Sequence, residues 1–158
     1  MTGMTAKVER VWTGGCACGG VRYEITTQPS PISFCHCGQC RRQHSHVGAY
    51  TSFSRDALRV VKDETLAWYR SSESARRGFC SRCGSGLFWE GDGRPNLDVT
   101  AGSLDEPTGL RADRHIWIDF KEDYYDLPDD GLLRRASTDP DNQTTSGQTT
   151  VGQTKTES

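Results

Sequence analysis

Seven cysteines lie in three short clusters, and their spacing indicates metal binding. The clusters read C-A-C at 16–18, C-H-C-G-Q-C at 35–40 and C-S-R-C at 80–83. Zinc prefers a tetrahedron of soft ligands, and a C-x-x-C turn supplies two thiolates from one tight loop. Because an odd number of cysteines cannot pair completely in disulfides, metal binding or catalysis is the better interpretation.

The seven thiolates divide naturally into a group of four and a group of three. The middle cluster has three sulfurs within six residues, enough to surround one face of a single ion, whereas each flanking pair needs a partner. An open fourth position is the usual geometry of catalytic zinc. We therefore predict two zinc ions per chain: a closed structural site on Cys16, Cys18, Cys80 and Cys83, and an open, catalytic site on Cys35, Cys37 and Cys40.

Histidines and arginines beside the clusters leave alternatives open. His36, His44 or His46 could complete the middle site and make it a second structural zinc, while His36 alternates outward between two cysteines like an ordinary surface residue. Arginine doublets stand at 41–42 and 76–77. A solvated face is the simpler explanation of such a doublet, but guanidinium groups could also neutralise a tris-thiolate zinc and bind substrate carboxylates.

The elements that carry these side chains are predicted to be β-strands. Apolar residues alternate with polar ones at 21–25, 58–60, 66–68, 97–99 and 116–118, and no segment keeps a helical stripe for three turns. The stretch 39–44 could form one helical turn, and 103–107 a turn or short cap. The prediction is a small, mainly β domain stabilised by zinc.

Composition sets the boundaries of the folded part. The tryptophans all precede residue 136, and the polar stretch 137–158 contains a single aliphatic side chain, Val151. We therefore predict one domain over residues 7–135 and a disordered tail over 136–158. A net charge of −2 favours neither nucleic acid nor membrane as a partner. The first residues lack a signal-peptide pattern, which favours a cytoplasmic protein.

The motifs GGCACGGVRYEI, FCHCGQCRR, RRGFCSRCGSGLFW, VTAGSLDEP and HIWIDFKEDYYDLPDDG resemble those of the glutathione-dependent formaldehyde-activating enzymes, a family that includes centromere-protein-V-like proteins. The resemblance covers about residues 12–130. It implies a small all-β "tent" fold, with a structural zinc on the outer cysteine pairs and a labile zinc on the middle three. It also implies an activity that joins glutathione and formaldehyde into S-hydroxymethylglutathione, classed in reverse as a carbon–sulfur lyase.

This chain departs from the family pattern near the expected substrate pocket. After Cys40, where many members carry Ser-Gly, the chain reads RRQHSHVGAY, with the bulkier His44 and His46. Near the end, Tyr124 and Tyr125 stand where a tryptophan often precedes the Asp-x-Pro element. Neither change affects the seven expected ligands.

The leading functional hypothesis is a lyase-type enzyme that acts on a small thiol and an aldehyde. A thiol at the open site would be activated as a thiolate and attack the aldehyde carbon, with His36 or His46 as the candidate acid. A zinc-ribbon-like binding module without catalysis is the alternative. A redox switch through the middle cysteines is a third possibility.

Overall fold

Two β-sheets enclose the apolar core of this chain. The computed structural model describes residues 10–136, so the predicted domain start at residue 7 and the tail beyond Ala136 lie outside the described residues. One short helix, α1, spans Gly38–His44. The strands are β1 Trp12–Gly15, β2 Val21–Ile25, β3 Ile32–Cys35, β4 Gly48–Ser54, β5 Leu58–Asp63, β6 Leu66–Ser72, β7 Ala75–Cys80, β8 Gly86–Gly91, β9 Asn96–Thr100, β10 Ala112–Ile116 and β11 Leu133–Arg134. The predicted mainly β fold is confirmed.

The smaller sheet is antiparallel, with the strand order β1-β2-β5. Its central strand, β2, carries the alternation seen in the sequence, because Val21, Tyr23 and Ile25 are all fully buried while the residues between them are not. The turn between β1 and β2 contains the first cysteine pair. The strand with the clearest alternation in the sequence, β2, therefore attaches the first cysteine pair to the core.

The larger sheet has eight strands in the order β11-β10-β3-β4-β9-β8-β7-β6. Its pairs are antiparallel except around β10, which runs parallel to both β3 and β11. The alternation at 116–118 predicts a strand through Ile118, and this is wrong: β10 ends at Ile116. Trp117 takes a left-handed backbone conformation with φ of 56°, so a short 3-10 turn follows.

The core between the sheets joins aromatic residues from both. Tyr23 of β2 meets Phe88 of β8 edge to face at 5.2 Å between ring centroids, and Trp68 of β6 stacks on Phe88. Cys16 and Cys80 belong to the same buried cluster. One cysteine of each outer pair is thus part of the hydrophobic core itself.

The helix α1 is short and begins within the middle cysteine cluster. Cys37 is its N-cap, and the Cys37 sulfur accepts the backbone N–H of Cys40 at 3.3 Å. The residue after the helix, Ser45, is its C-cap and has a left-handed φ of 65°. Across residues 10–136, no helix has the length and apolar character needed to span a membrane.

We predict that Gly14→Ala destabilises the fold, because Tyr23 of β2 and the 3-10 turn Ala101–Ser103 approach β1 too closely for a side chain. A Cβ at Gly14 would lie 2.4 Å from the Tyr23 hydroxyl and 2.5 Å from the backbone oxygen of Ser103. We expect the free energy of unfolding in urea to fall by about 1–3 kcal/mol. The matched control is Gly102→Ala, which meets nothing within 4 Å; equal effects of the two substitutions would contradict the close approach.

Candidate metal centres and active site

The structure brings the seven cysteines together as two separate groups. In each group the sulfur atoms all lie within 4.8 Å of one another, and each group could hold a metal ion. One group contains Cys16, Cys18, Cys80 and Cys83, and the other contains Cys35, Cys37 and Cys40. Packing of the two sheets against each other therefore unites cysteines that are more than 60 residues apart in the chain.

The four-sulfur group lies where turns from the two sheets meet. Cys16 and Cys18 come from the β1–β2 turn, while Cys80 and Cys83 come from the β7–β8 turn. The sulfur of Cys18 is 3.6 Å from those of Cys16 and Cys80. Tetrahedral zinc with Zn–S bonds of about 2.3 Å places its sulfurs about 3.8 Å apart, so the donor set fits this ion.

Polar groups contact at least three of the four sulfurs. The backbone N–H of Val21 donates to Cys16 at 3.2 Å, and the Thr65 hydroxyl lies 3.1 Å from the Cys80 sulfur. The Ser85 hydroxyl lies 3.2 Å from the Cys83 sulfur, and this hydrogen bond is the main cause that lowers the pKa of Cys83 to about 5. Hydrogen bonds to sulfur of this kind orient and stabilise metal-ligating thiolates.

The three-sulfur group lies at the junction of β3 and α1. Cys35 ends the strand, Cys37 caps the helix, and Cys40 faces inward from the first helical turn. All three side chains are buried, at 5–6% exposure, against Tyr50, Trp89, Ile116 and Trp117. The fold thus places three soft donors on one face of a largely apolar pocket.

Three sulfurs this close resist full ionisation without a cation. Hydrogen bonds from Cys35, and then from Cys40, lower the pKa of Cys37 to about 2. The hydrogen bond to Cys37 raises the pKa of Cys35 well above its usual value, because a second thiolate there would be buried beside the first. The donor set therefore suits a divalent cation that offsets the charge of all three thiolates.

Arg77 supplies one positive charge beside this group. It is 5% exposed, and its guanidinium donates to the Tyr50 hydroxyl at 2.7 Å and to the Gln39 side-chain oxygen at 3.2 Å. The same group lies 4.0 Å from the Cys40 sulfur. Arg77 therefore places a positive charge beside the Cys40 sulfur, and it also interacts electrostatically with the Asp98 carboxylate.

The other arginines of the two doublets have different partners. Arg76 points to the opposite face of β7, where it pairs with Glu90 and lies over the Trp68 ring at 4.1 Å. Arg41 pairs with Glu122 at 3.2 Å, and Arg42 is exposed. Strand alternation explains why only the second arginine of the later doublet reaches the cysteines.

No histidine nitrogen joins the three sulfurs at metal-binding distance within residues 10–136. His44 contacts the Tyr50 hydroxyl, and His46 contacts the Tyr124 hydroxyl at 2.8 Å. His36 is 3% exposed, so its predicted outward position is wrong. Both of its ring nitrogens are hydrogen-bonded, and burial lowers its pKa to about 4.

Several residues of the site carry no local signal in the sequence. Thr65 and Ser85 contact sulfurs across turns, and Tyr50 contacts Arg77 across two strands. His115 and Tyr125 reach His36 from more than 75 residues away in the chain. These contacts become visible only once the strands are paired, as β3 and β10 are beside His36 and His115.

Sequence comparisons find relatives of this chain. The sequence profile of the family described as "Glutathione-dependent formaldehyde-activating enzyme" matches residues 11–120. A Schizosaccharomyces pombe protein named "uncharacterized lyase" is 28% identical over 118 residues, which cover 73% of this chain and 85% of that protein. A Halomonas elongata protein named "putative glutathione-dependent formaldehyde-activating enzyme" is 31% identical over 125 residues, 72% of this chain and 79% of that protein.

A solved structure shares the fold. The crystal structure of a Rhodobacter sphaeroides protein superposes with a TM-score of 0.51 at 26% sequence identity. The match covers 60% of this chain and 88% of that one.

We predict that Arg77→Met weakens metal binding at the three-sulfur group by about tenfold or more. Three thiolates and one divalent ion carry a net charge of −1, which Arg77 attracts. Opposite unit charges about 4 Å apart attract by roughly 4 kcal/mol at an effective dielectric constant of 20, and a third of that is about tenfold. Competition with a chromophoric zinc chelator measures the effect. Arg77→Lys keeps the charge and should recover part of the affinity.

The matched control for this prediction is Arg76→Met, which removes the neighbouring guanidinium from the opposite face of the strand. Its zinc affinity should stay within about twofold of that of the unmodified chain, a difference in binding free energy of about 0.4 kcal/mol. If both methionine variants release zinc equally, Arg77 does not offset the charge of the sulfurs.

Proposed function

The chain belongs to the glutathione-dependent formaldehyde-activating enzyme family, and from that premise we propose that it is a zinc-dependent, carbon–sulfur lyase-type enzyme. Its substrates are adducts of a small thiol, glutathione or similar, with formaldehyde or another aldehyde. The observation that carries the proposal is the group of three buried sulfurs with no fourth protein ligand among residues 10–136, beside the cation of Arg77.

The proposal assigns a zinc ion to each sulfur group. Cys16, Cys18, Cys80 and Cys83 hold a structural ion, because they are four ligands that tie the two sheets together. Cys35, Cys37 and Cys40 hold the second ion and are the catalytic cysteines. Zinc bound there supplies a Lewis acid that lowers the pKa of an incoming thiol.

The residues of the chain have distinct roles around the second ion. The three cysteines fix its position through β3 and α1, whose ends they occupy. Arg77 offsets part of the negative charge, which keeps the pocket compatible with an anionic thiol. Trp89, Ile116 and Trp117 pack against the sulfurs and limit the access of water.

The expected partners follow from the same assignment. They are a small-molecule thiol and an aldehyde, with neither nucleic acid nor membrane. A cytoplasmic location belongs to the proposal as well, because seven free cysteines are kept reduced most readily in that compartment.

We predict that the zinc-loaded full chain accelerates the exchange between glutathione, formaldehyde and S-hydroxymethylglutathione beyond the spontaneous rate. Exchange NMR measures both directions at equilibrium, and cysteine or 2-mercaptoethanol can replace glutathione to identify the thiol. Cys37→Ser should lose the acceleration by about 100-fold or more, the loss that removing one essential group typically causes. No acceleration with any of these thiols would contradict the enzyme and favour a binding module without catalysis.

A second prediction separates the two metal sites. The isolated chain should hold two zinc ions, and mild chelation should remove one, because one site is closed and the other has an open position. Cys80→Ser should lower the free energy of unfolding by more than about 3 kcal/mol, since metal binding there is coupled to folding. Cys37→Ser should cost about 1 kcal/mol or less, because serine also caps a helix.

Metal analysis and urea unfolding of the same samples test this division. A chain that binds a single ion, or two variants that lose equal stability, would contradict the assignment of one structural and one reactive site.

A further inference from the structure

A chain of hydrogen bonds runs from the protein surface to the edge of the three-sulfur group. The Asp130 carboxylate contacts His115 Nε2 at 2.9 Å, and His115 Nδ1 contacts His36 Nε2 at 2.8 Å. His36 Nδ1 then contacts the Tyr125 hydroxyl at 2.5 Å. Both histidines are 3% exposed, so these bonds are their means of satisfying buried nitrogens.

The carboxylate at one end gives this chain of bonds a direction. An ionised carboxylate only accepts, and hydrogen bonding to His115 lowers the pKa of Asp130. If each imidazole carries one proton, it has one donor and one acceptor nitrogen, so His115 donates from Nε2 to Asp130 and accepts at Nδ1. His36 then donates from Nε2 and accepts at Nδ1, and the Tyr125 hydroxyl must donate its hydrogen to His36. The Tyr125 oxygen keeps its lone pairs free as acceptors.

Tyr125 lies beside the end of β3 that carries the first cysteines of the three-sulfur group. His36, its partner, stands between Cys35 and Cys37, and the two rings stack at 5.6 Å. The His46 ring packs edge to face against the Tyr125 ring, with 4.5 Å between centroids, and Lys121 donates a hydrogen bond to the Tyr125 backbone oxygen at 2.6 Å. Tyr125 and Asp130 both follow the segment that matches the family profile, which ends at residue 120.

We propose that Tyr125 is a specificity-determining residue whose oxygen accepts a hydrogen bond from the hydroxyl group of the thiol–aldehyde adduct. This inference rests on the proposed function. Such an adduct differs from a simple thioether by one hydroxyl on the carbon next to sulfur, and that hydroxyl is a donor that an outward-facing acceptor recognises. His36, His115 and Asp130 are positioning residues, which act by fixing the direction of the Tyr125 hydroxyl.

The test compares two probes on matched tyrosine variants. S-hydroxymethylglutathione carries the hydroxyl and S-methylglutathione lacks it. Tyr125→Phe should lower kcat/KM for S-hydroxymethylglutathione by roughly tenfold, the value of one hydrogen bond, and leave the inhibition constant of S-methylglutathione within about twofold. Tyr124→Phe removes the neighbouring, exposed hydroxyl and should change neither quantity.

A second measurement shows which atom donates in each hydrogen bond, and it does not depend on turnover. Nitrogen-15 NMR of the histidine rings should show the Nε2–H tautomer for both His36 and His115 in the zinc-loaded chain. Asp130→Ala, at an exposed position, should keep the fold and lower the discrimination between the two probes by a smaller factor than Tyr125→Phe.

The outcomes are separable. An unmodified chain without turnover overturns the proposed function and this inference with it. An active chain in which Tyr125→Phe has no effect, or weakens both probes equally, overturns the inference alone. An Nδ1–H tautomer at His36 also overturns it, since Tyr125 would then be a donor to the substrate.

Discussion

The close approach of sulfur atoms in a buried pocket is the interaction on which the site depends. Three cysteines at 5–6% exposure lie within 4.8 Å of one another, and their thiolates would repel strongly in an environment of low polarity. Within residues 10–136, Arg77 places its guanidinium 4.0 Å from the Cys40 sulfur. One guanidinium can offset one of the three thiolate charges, and a divalent ion would offset the other two.

The four-sulfur group has a different relation to the fold. It joins the β1–β2 turn of the smaller sheet to the β7–β8 turn of the larger one, and Cys16 and Cys80 belong to the core that fills the space between them. An ion held there would act as a cross-link between sheets in a chain whose hydrophobic content is only 34%. The three-sulfur group lies at the end of one strand instead, where a ligand can be exchanged without separating the sheets.

The sequence predicted those parts of the structure whose signal is local. Alternation predicted β2 well because Val21, Tyr23 and Ile25 face a core, and cysteine spacing predicted the grouping of sulfurs that the structure has. Positions set by distant strand pairing were not predictable. Nothing near His36 indicates that His115 and Tyr125 bury it, and alternation alone could not tell that Arg77 faces the sulfurs while Arg76 faces Glu90.

The central claim is that one metal ion has four sulfur ligands and the other has three. Zinc X-ray absorption spectroscopy of the fully loaded chain tests it directly, because the amplitude of the zinc–sulfur shell counts sulfurs per ion. We expect an average of about 3.5 sulfurs at about 2.3 Å before mild chelation, and about four sulfurs around each ion that remains afterwards. An average that stays the same after chelation, or a remaining ion with a nitrogen ligand, would contradict the division into four and three sulfur ligands.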